Sequence, residues 1–330
     1  MEKLKSKIFL YAEGSFKLGL GNIYRTIALG KEILKKCFTE VYFITSSDIY
    51  IQDIIRKASM SIIVFKDYNQ FFDIVKANNP DVLIIDQTNI SVELAKHIRT
   101  YVKKLVHIGN VSKANEFADV VINAIIGTNY KNKVRVDEFN TKYLEGPKYL
   151  SLRDEFYDKE GSYKYTGELN KILLSFGGTD QANLTTKVLR NLNRLSTRKK
   201  IYIIKGAGFK FDNELFKEIQ KNKKHIVKVF KNVSNMSEIM LKSDLIFTSP
   251  GTTLYEACSL KIPAIAFCQT KEQKNMHKDY KFVFDFYEVN NFEKVMIDLY
   301  ESYDSYLQYI NKFHFGEGKK EIVKECSTCN

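Results

Sequence analysis

The 330-residue chain is 44% hydrophobic, 13% aromatic and 27% charged, the balance of a globular protein with material for two cores of roughly 150 residues each; disordered, collagen-like and low-complexity classes are excluded. Its 51 Lys and Arg against 39 Asp and Glu leave a net charge of +12, which suits an anionic partner, but the lysines run from end to end without a long basic block or interleaved aromatics, so nucleic acid is not expected. No apolar stretch approaches the roughly 18–20 residues of a membrane span, and the charged start leads straight into a strand rather than a signal peptide, so a cytoplasmic location is expected.

In chain order, residues 8–12 read as a buried strand, Gly14, Gly19 and Gly21 punctuate a turn, and Ile23, Ile27 and Leu34 with Ala28 and Leu29 recur at helical spacing. Residues 41–44, 62–65 and 81–86 continue as strands separated by helical segments, and 105–108 and 120–122 extend the alternation. Residues 1–148 therefore read as an N-terminal doubly wound, Rossmann-like domain. A polar stretch without periodicity, 129–141, precedes a restart of the rhythm. Strands are expected at 171–176, 201–204, 227–229, 245–247 and 263–267, a helix at 184–192, and a last helix at 317–325 that crosses back to the first domain. The second domain, 149–330, is Rossmann-like in turn. Ligands of such sheets lie beyond the carboxyl ends of the strands, so two facing sheets predict an α/β fold with an interdomain cleft.

Neither a metal nor a cofactor is expected. None of the five histidines stands at metal-ligand spacing from another, and the five cysteines, Cys37, Cys258, Cys268, Cys326 and Cys329, are an odd and widely spaced set that predicts no structural disulfide. Cys326 and Cys329 have half a zinc site's spacing but no second pair.

Three loops carry chemistry. The first, Glu13 to Asn22, puts glycines between a strand and a helix, where backbone amides approach an anion and the helix N-terminus favours negative charge; Tyr24 stands where a dinucleotide fingerprint would have its third glycine. The alternative is a tight turn with Asn22 as a helix cap. The second, Ser175-Phe176-Gly177-Gly178-Thr179-Asp180, suits a phosphate or ribose, or else Asp180 only caps the following helix. The third, Ser249 to Ala257, opens a helix so that the amides of Gly251, Thr252 and Thr253 and two hydroxyls converge on one point, a diphosphate site. Glu256, one turn on, can accept both hydroxyls of a ribose. In the alternative, Thr252 is a cap and Glu256 a surface charge.

Taken in order, Gly19-Leu20-Gly21-Asn22-Ile23-Tyr24-Arg25, Gly146 to Arg153 with Phe156, Ser175 to Asp180, Asn235-Met236 and Gly251 to Glu256 resemble the GT-B nucleotide-sugar enzymes. The resemblance is greatest to the UDP-sugar hydrolases of the pseudaminic acid pathway and their spore-coat-polysaccharide relatives. It implies a UDP-sugar held mainly by the second domain, with Glu256 on the ribose, residues 251–253 on the diphosphate and Gly177, Gly178 and Thr179 close by. The sugar would reach Gly19, Gly21, Asn22, Tyr24 and Arg25, and Gln273 would complete the donor site. No metal is required, because helix dipole and side chains stabilise the leaving diphosphate.

Three departures rebuild the catalytic end. Asn22 stands where the hydrolases carry a histidine that activates water, and an amide has no usable basicity near neutral pH. His107-Ile108-Gly109-Asn110 replaces a pair of aspartates, and Glu272-Gln273 replaces an asparagine-glutamine pair. The expected function is a UDP-sugar glycosyltransferase of surface glycan or nonulosonic acid biosynthesis. In it, Asn22 orients the sugar or acceptor and Asp86 or Glu13 deprotonates the hydroxyl of a sugar, lipid or protein-linked acceptor. Asp86 as a mere helix cap, a hydrolase using Asp86, His107 or His277 as its base, and a binding protein without turnover remain alternatives. Peripheral contact with an anionic membrane face stays open.

Overall fold

Near-continuous apolar runs such as Val82–Asp86, buried at all five positions, are what parallel strands covered on both faces require. The computed structural model describes residues 5–15, 19–124, 131–231, 233, 235–277 and 280–327. Its first elements are β1 (Ser6–Ala12), α1 (Gly21–Lys36), β2 (Thr39–Thr45), α2 (Ile49–Lys57), β3 (Ser61–Val64), α3 (Tyr68–Asn78), β4 (Val82–Asp86) and α4 (Val92–Arg99). Then come β5 (Lys104–Ile108), β6 (Val120–Asn123), β7 (Lys133–Val136), β8 (Lys142–Glu145), α5 (Asp154–Tyr157), β9 (Lys171–Ser175), α6 (Leu184–Leu192) and β10 (Lys200–Lys205). They are followed by α7 (Asp212–Lys221), β11 (Ile226–Lys231), α8 (Met236–Leu241), β12 (Leu245–Thr248), α9 (Thr252–Ser259) and β13 (Ala264–Phe267). The last are α10 (Lys271–His277), β14 (Val283–Phe284), α11 (Phe292–Glu301), α12 (Tyr303–Asn311) and α13 (Lys319–Glu325).

The described residues divide into two units, one running to Arg153 and resuming at Gly316, the other Asp154–Phe315. The first is built on a sheet of order β3-β2-β1-β4-β5-β6-β8-β7, parallel except for β7 against β8. One face packs Ile8, Leu10, Val82 and Ile84 against Ile23, Ile27 and Ile33 of α1, Ile51 and Ile55 of α2, and Ile322 and Val323 of α13. The other packs Phe9, Tyr11, Leu83 and Ile85 against Phe71 and Val75 of α3 and Leu94 and Ile98 of α4. The second unit has a parallel sheet of order β11-β10-β9-β12-β13-β14, with Ile172 and Leu174 packed on Leu184, Val188 and Leu192 of α6. In each sheet the order reverses about the first strand, between β1 and β4 in one and between β9 and β12 in the other, which makes the carboxyl ends of those pairs the switch points where ligands bind.

The structure adds one strand and corrects one expectation. The polar stretch 129–141, in which the sequence shows no periodicity, contains β7, whose Lys133-Val134-Arg135-Val136 sits largely exposed at the sheet edge; residues 125–130 lie outside the described residues. The Arg135 guanidinium stacks 3.6 Å above the Tyr143 ring and pairs with Glu145 at 3.1 Å, so its polar pattern is that of a guarded edge strand. Cys37 is disulfide-bonded, while Cys258, Cys268 and Cys326 are free thiols; spacing along a chain carries no information on which thiols a fold apposes. Cys329 lies outside the described residues. Among the described residues no helix is long and apolar enough to cross a membrane, and no cluster of His, Cys, Asp and Glu could hold a metal ion.

Candidate functional site

At the first switch point, the loop after β1 closes on itself through Ser15 and Gly19, whose amides donate to each other's carbonyls at 3.3 and 2.8 Å. Gly19 takes φ +84°, a conformation that glycine adopts at low cost. Residues 16–18 lie outside the described residues. Gly21 opens α1, Leu20 occupies the N-cap position without a side-chain cap bond, and Asn22 is therefore not the cap.

Asn22 instead joins a polar cluster built on Asp86. The Asp86 carboxylate, fully buried at the end of β4, accepts from Arg25 Nε at 2.9 Å, from Arg25 Nη2 on its other oxygen, and from the Thr26 hydroxyl at 2.8 Å. Arg25 Nη2 also reaches Asn22 Oδ1 at 3.3 Å, and Asn22 Nδ2 lies 3.5 Å from the Asp86 carbonyl. Spacing of three and four residues places Asn22, Arg25 and Thr26 on one side of the first turns of α1. Asp86 is not a helix cap, since Ser91 caps α4 by accepting from the Leu94 amide at 3.1 Å. As a candidate general base it is corrected: both oxygens are held by buried donors, so it acts as the anchor that fixes Arg25 and, through it, Asn22.

Glu13 lies on the other side of β1. Its Oε1 accepts from Tyr11 Oη at 2.7 Å and from Ser46 Oγ at 2.6 Å, and it stays half-buried. Burial, with the bonds to Tyr68 and Glu13, pushes the Tyr11 phenol far above its ordinary range, which keeps it a donor. Tyr24 is 39% exposed, and the Arg153 guanidinium lies 5.9 Å from its ring centroid.

The two histidines considered as replacement bases are both occupied. His107, 1% exposed, bonds through Nε2 to the Gln87 carbonyl at 2.9 Å and through Nδ1 to Asn115 Nδ2 at 2.8 Å, so Nε2 carries the proton and Nδ1 accepts. His277, 3% exposed, donates from Nδ1 to the Gln273 carbonyl at 3.0 Å and accepts at Nε2 from Tyr255 Oη at 2.7 Å. Burial lowers the pKa of each, and neither ring presents a free nitrogen for water.

At the second switch point, Gly177 turns the chain after β9 with φ +80°. Gly206 approaches so closely that a Cβ there would lie 2.4 Å from the carbonyl oxygens of both Gly177 and Gly178. Thr179 is half-buried beside them. Asn183 holds the N-cap position of α6, and Asp180, three residues before it, accepts from the amides of Leu184 and Thr185 at 2.7 and 2.8 Å, so of its two readings the structure shows the helix-terminus one. After β12, Gly251 sits at the N-cap of α9 with φ +154° and open space where its Cβ would be. Thr252 is thus the first helical residue and not the cap. The amides of Thr252 and Thr253 precede the first intrahelical bonds, as they do at any helix start, and Glu256 is 3% exposed, which excludes a surface charge.

One side chain organises these loops without having stood out in the sequence. Gln269, just beyond β13, donates from Nε2 to the Phe176 carbonyl at 3.0 Å and to Ser249 Oγ at 2.8 Å, and accepts from the Ala182 amide at 3.3 Å. Gln273 braces the same loops: its Oε1 accepts from the Gln269 amide at 2.8 Å and its Nε2 donates to the Pro250 carbonyl at 3.1 Å. Together they tie the loops after β9, β12 and β13 into one frame.

Two doubly wound sheets of this kind, each with a polar cluster at its switch point, define a GT-B fold. The structure of MurG from Acinetobacter baumannii superposes with a TM-score of 0.63 at 12% identity over 97% of this chain and 99% of that one. UDP-GlcNAc 2-epimerase from Neisseria meningitidis superposes with 0.61 at 12% over 97% and 99%. The glycosyltransferase family 28 C-terminal domain matches residues 172–283, the segment that contains Gly177, Gly251, Glu256, Gln269 and Gln273.

In sequence, the chain is 36% identical over 328 residues to the uncharacterized protein MJ1062 of Methanocaldococcus jannaschii, covering 96% of this chain and 65% of that one; it thus spans just under two thirds of that relative's length. It is 25% identical over 271 residues to the spore coat polysaccharide biosynthesis protein SpsG of Bacillus subtilis, covering 80% and 78%. It is 23% identical over 292 residues to the UDP-2,4-diacetamido-2,4,6-trideoxy-beta-L-altropyranose hydrolase of Campylobacter jejuni, covering 82% and 94%. The chain thus has a GT-B fold, and its residues 172–283 match the glycosyltransferase family 28 C-terminal domain.

Proposed function

We propose that the protein is a UDP-sugar glycosyltransferase of surface-glycan biosynthesis. The observation that carries this reading is the second switch point: a glycine-bounded helix start at Gly251–Thr253, the Gly177–Gly178 turn and the buried Glu256 lie inside the matched family 28 domain. The amides at the start of α9 would hold the diphosphate and stabilise the charge it gains as the sugar C1–O bond breaks. Glu256 would accept the ribose hydroxyls. In the first unit, Asn22 would orient the sugar, with Arg25 holding Asn22 in place, and Glu13, the half-buried carboxylate at the end of β1, would take the proton of the acceptor hydroxyl.

Transfer is favoured over hydrolysis because Asp86, His107 and His277 are all committed to internal hydrogen bonds. The hydrolase reading keeps one support, the name of the C. jejuni relative. Incubation with a panel of UDP-sugars decides between them: a transferase releases UDP only when an acceptor is added, and prompt release of free sugar and UDP without one would overturn the proposal. In calorimetry, Glu256→Ala is expected to weaken UDP binding by about 1–3 kcal/mol. Unchanged affinity would remove Glu256 from the donor site.

A further inference from the structure

The first unit holds a concavity on the opposite face of its sheet from the Arg25–Asp86 pair. Asp86 points to α1, whereas the next residue, Gln87, donates from Nε2 to Tyr11 Oη at 3.0 Å on the face covered by α3 and α4. There Tyr68 and Phe72 of α3, Gln87 and Asn89 of the β4–α4 loop, and Glu93 and His97 of α4 line a cavity of about 600 Å³. That volume falls within the roughly 300–1,000 Å³ range of small-molecule sites.

The lining has two chemically distinct parts. One is aromatic: Tyr68 is 46% exposed, and the Phe72 and His97 rings meet with centroids 4.2 Å apart. The other is polar and held in place. Gln87 is fixed by Tyr11 at its side chain and by His107 at its carbonyl, 2.9 Å away, and the Asn89 amide oxygen accepts from Asn110 Nδ2 at 3.3 Å. Although the chain has 51 Lys and Arg, neither type lines the cavity, and Glu93 is its only carboxylate. A phosphate or uronate would meet no counter-charge and one repulsive group. A neutral sugar ring matches both parts, since its C–H face lies against aromatic rings while its hydroxyls bond to side-chain amides and a carboxylate.

We propose that this cavity binds an uncharged saccharide, the acceptor glycan of the transfer reaction; the acceptor role rests on the transferase reading, the saccharide site does not. Saturation-transfer NMR with cellobiose, maltose and N,N′-diacetylchitobiose as probes, and glucose 6-phosphate as the anionic control, tests it on the full chain. At least one neutral disaccharide is expected to take up saturation and the phosphate none. Tyr68→Ala and the exposed-loop variant Asn89→Ala are each expected to weaken the disaccharide by about tenfold. No transfer to any of the three at millimolar concentration, equal transfer to the phosphate, or the same affinity in the folded Asn89→Ala protein would overturn the site. Calorimetry with UDP on the same samples separates the readings. UDP binding without saccharide binding sinks this proposal alone, and saccharide binding without UDP binding leaves the site standing while the donor assignment falls.

Discussion

Asp86 shows how a single carboxylate is read differently from sequence and from structure. At the end of a buried strand it has the position of a catalytic base, and nothing in its neighbourhood along the chain points to Arg25 and Thr26, 61 and 60 residues away. Removing the charge leaves a buried guanidinium without its partner, which costs about 3–5 kcal/mol. Asp86→Asn should therefore lower the free energy of unfolding in urea by that amount, and the double variant Arg25→Leu with Asp86→Leu should recover most of it. A loss below about 1 kcal/mol in Asp86→Asn would mean that the pair is solvated. Gln269 was equally illegible, because one amide on a loop carries no pattern. Its importance lies in three backbone and side-chain partners drawn from two loops, Phe176 and Ala182 after β9 and Ser249 after β12.

At the scale of elements, the apolar strands were legible, the edges β3 and β11 among them, whereas β7, β8 and β14 were not. Parallel strands covered on both faces need apolar residues at nearly every position, and β1, β4, β9 and β12 carry them. Edge strands lack that demand: β7 alternates charge with valine and β14 is two residues long. The glycine-rich turns were legible as turns, but the close contact between Gly206 and the Gly177–Gly178 carbonyls joins segments some 30 residues apart, beyond the reach of a local motif. Since a Cβ at 206 would meet two backbone oxygens rather than a flexible side chain, Gly206→Ala should cost about 1–3 kcal/mol by overpacking. It should also weaken UDP binding, because the turn must move away. Full stability with unchanged UDP affinity, measured by thermal melts with and without nucleotide, would show that the turn moves without consequence.

For the whole molecule, the buried histidines set a pH dependence. Burial lowers the pKa of His107 and His277 from an ordinary value of 6.5, so between that value and the lower folded one the unfolded chain binds more protons than the folded chain. Their contribution to stability is complete above about pH 6.5 and is lost as the pH falls through the window below it. The melting temperature should accordingly be level from pH 7 to 8 and decline from about 6.5 downward; a midpoint that stays level to pH 5.5 would mean that both rings are protonated without cost.

The division of the chain has a consequence for synthesis. Residues from Gly316 onward belong to the first unit: Ile322, Val323 and Cys326 complete its core, and Lys319 pairs with Glu32 and Lys142 with Glu325 at 3.0 and 2.6 Å. A ribosome delivers the segment up to Arg153 first, yet its apolar face over α1 stays uncovered until α13 emerges, after every residue of the second unit. The unit that is translated first is therefore the last to close its core, and in that interval its exposed apolar surface is the part of the nascent chain most in need of a chaperone.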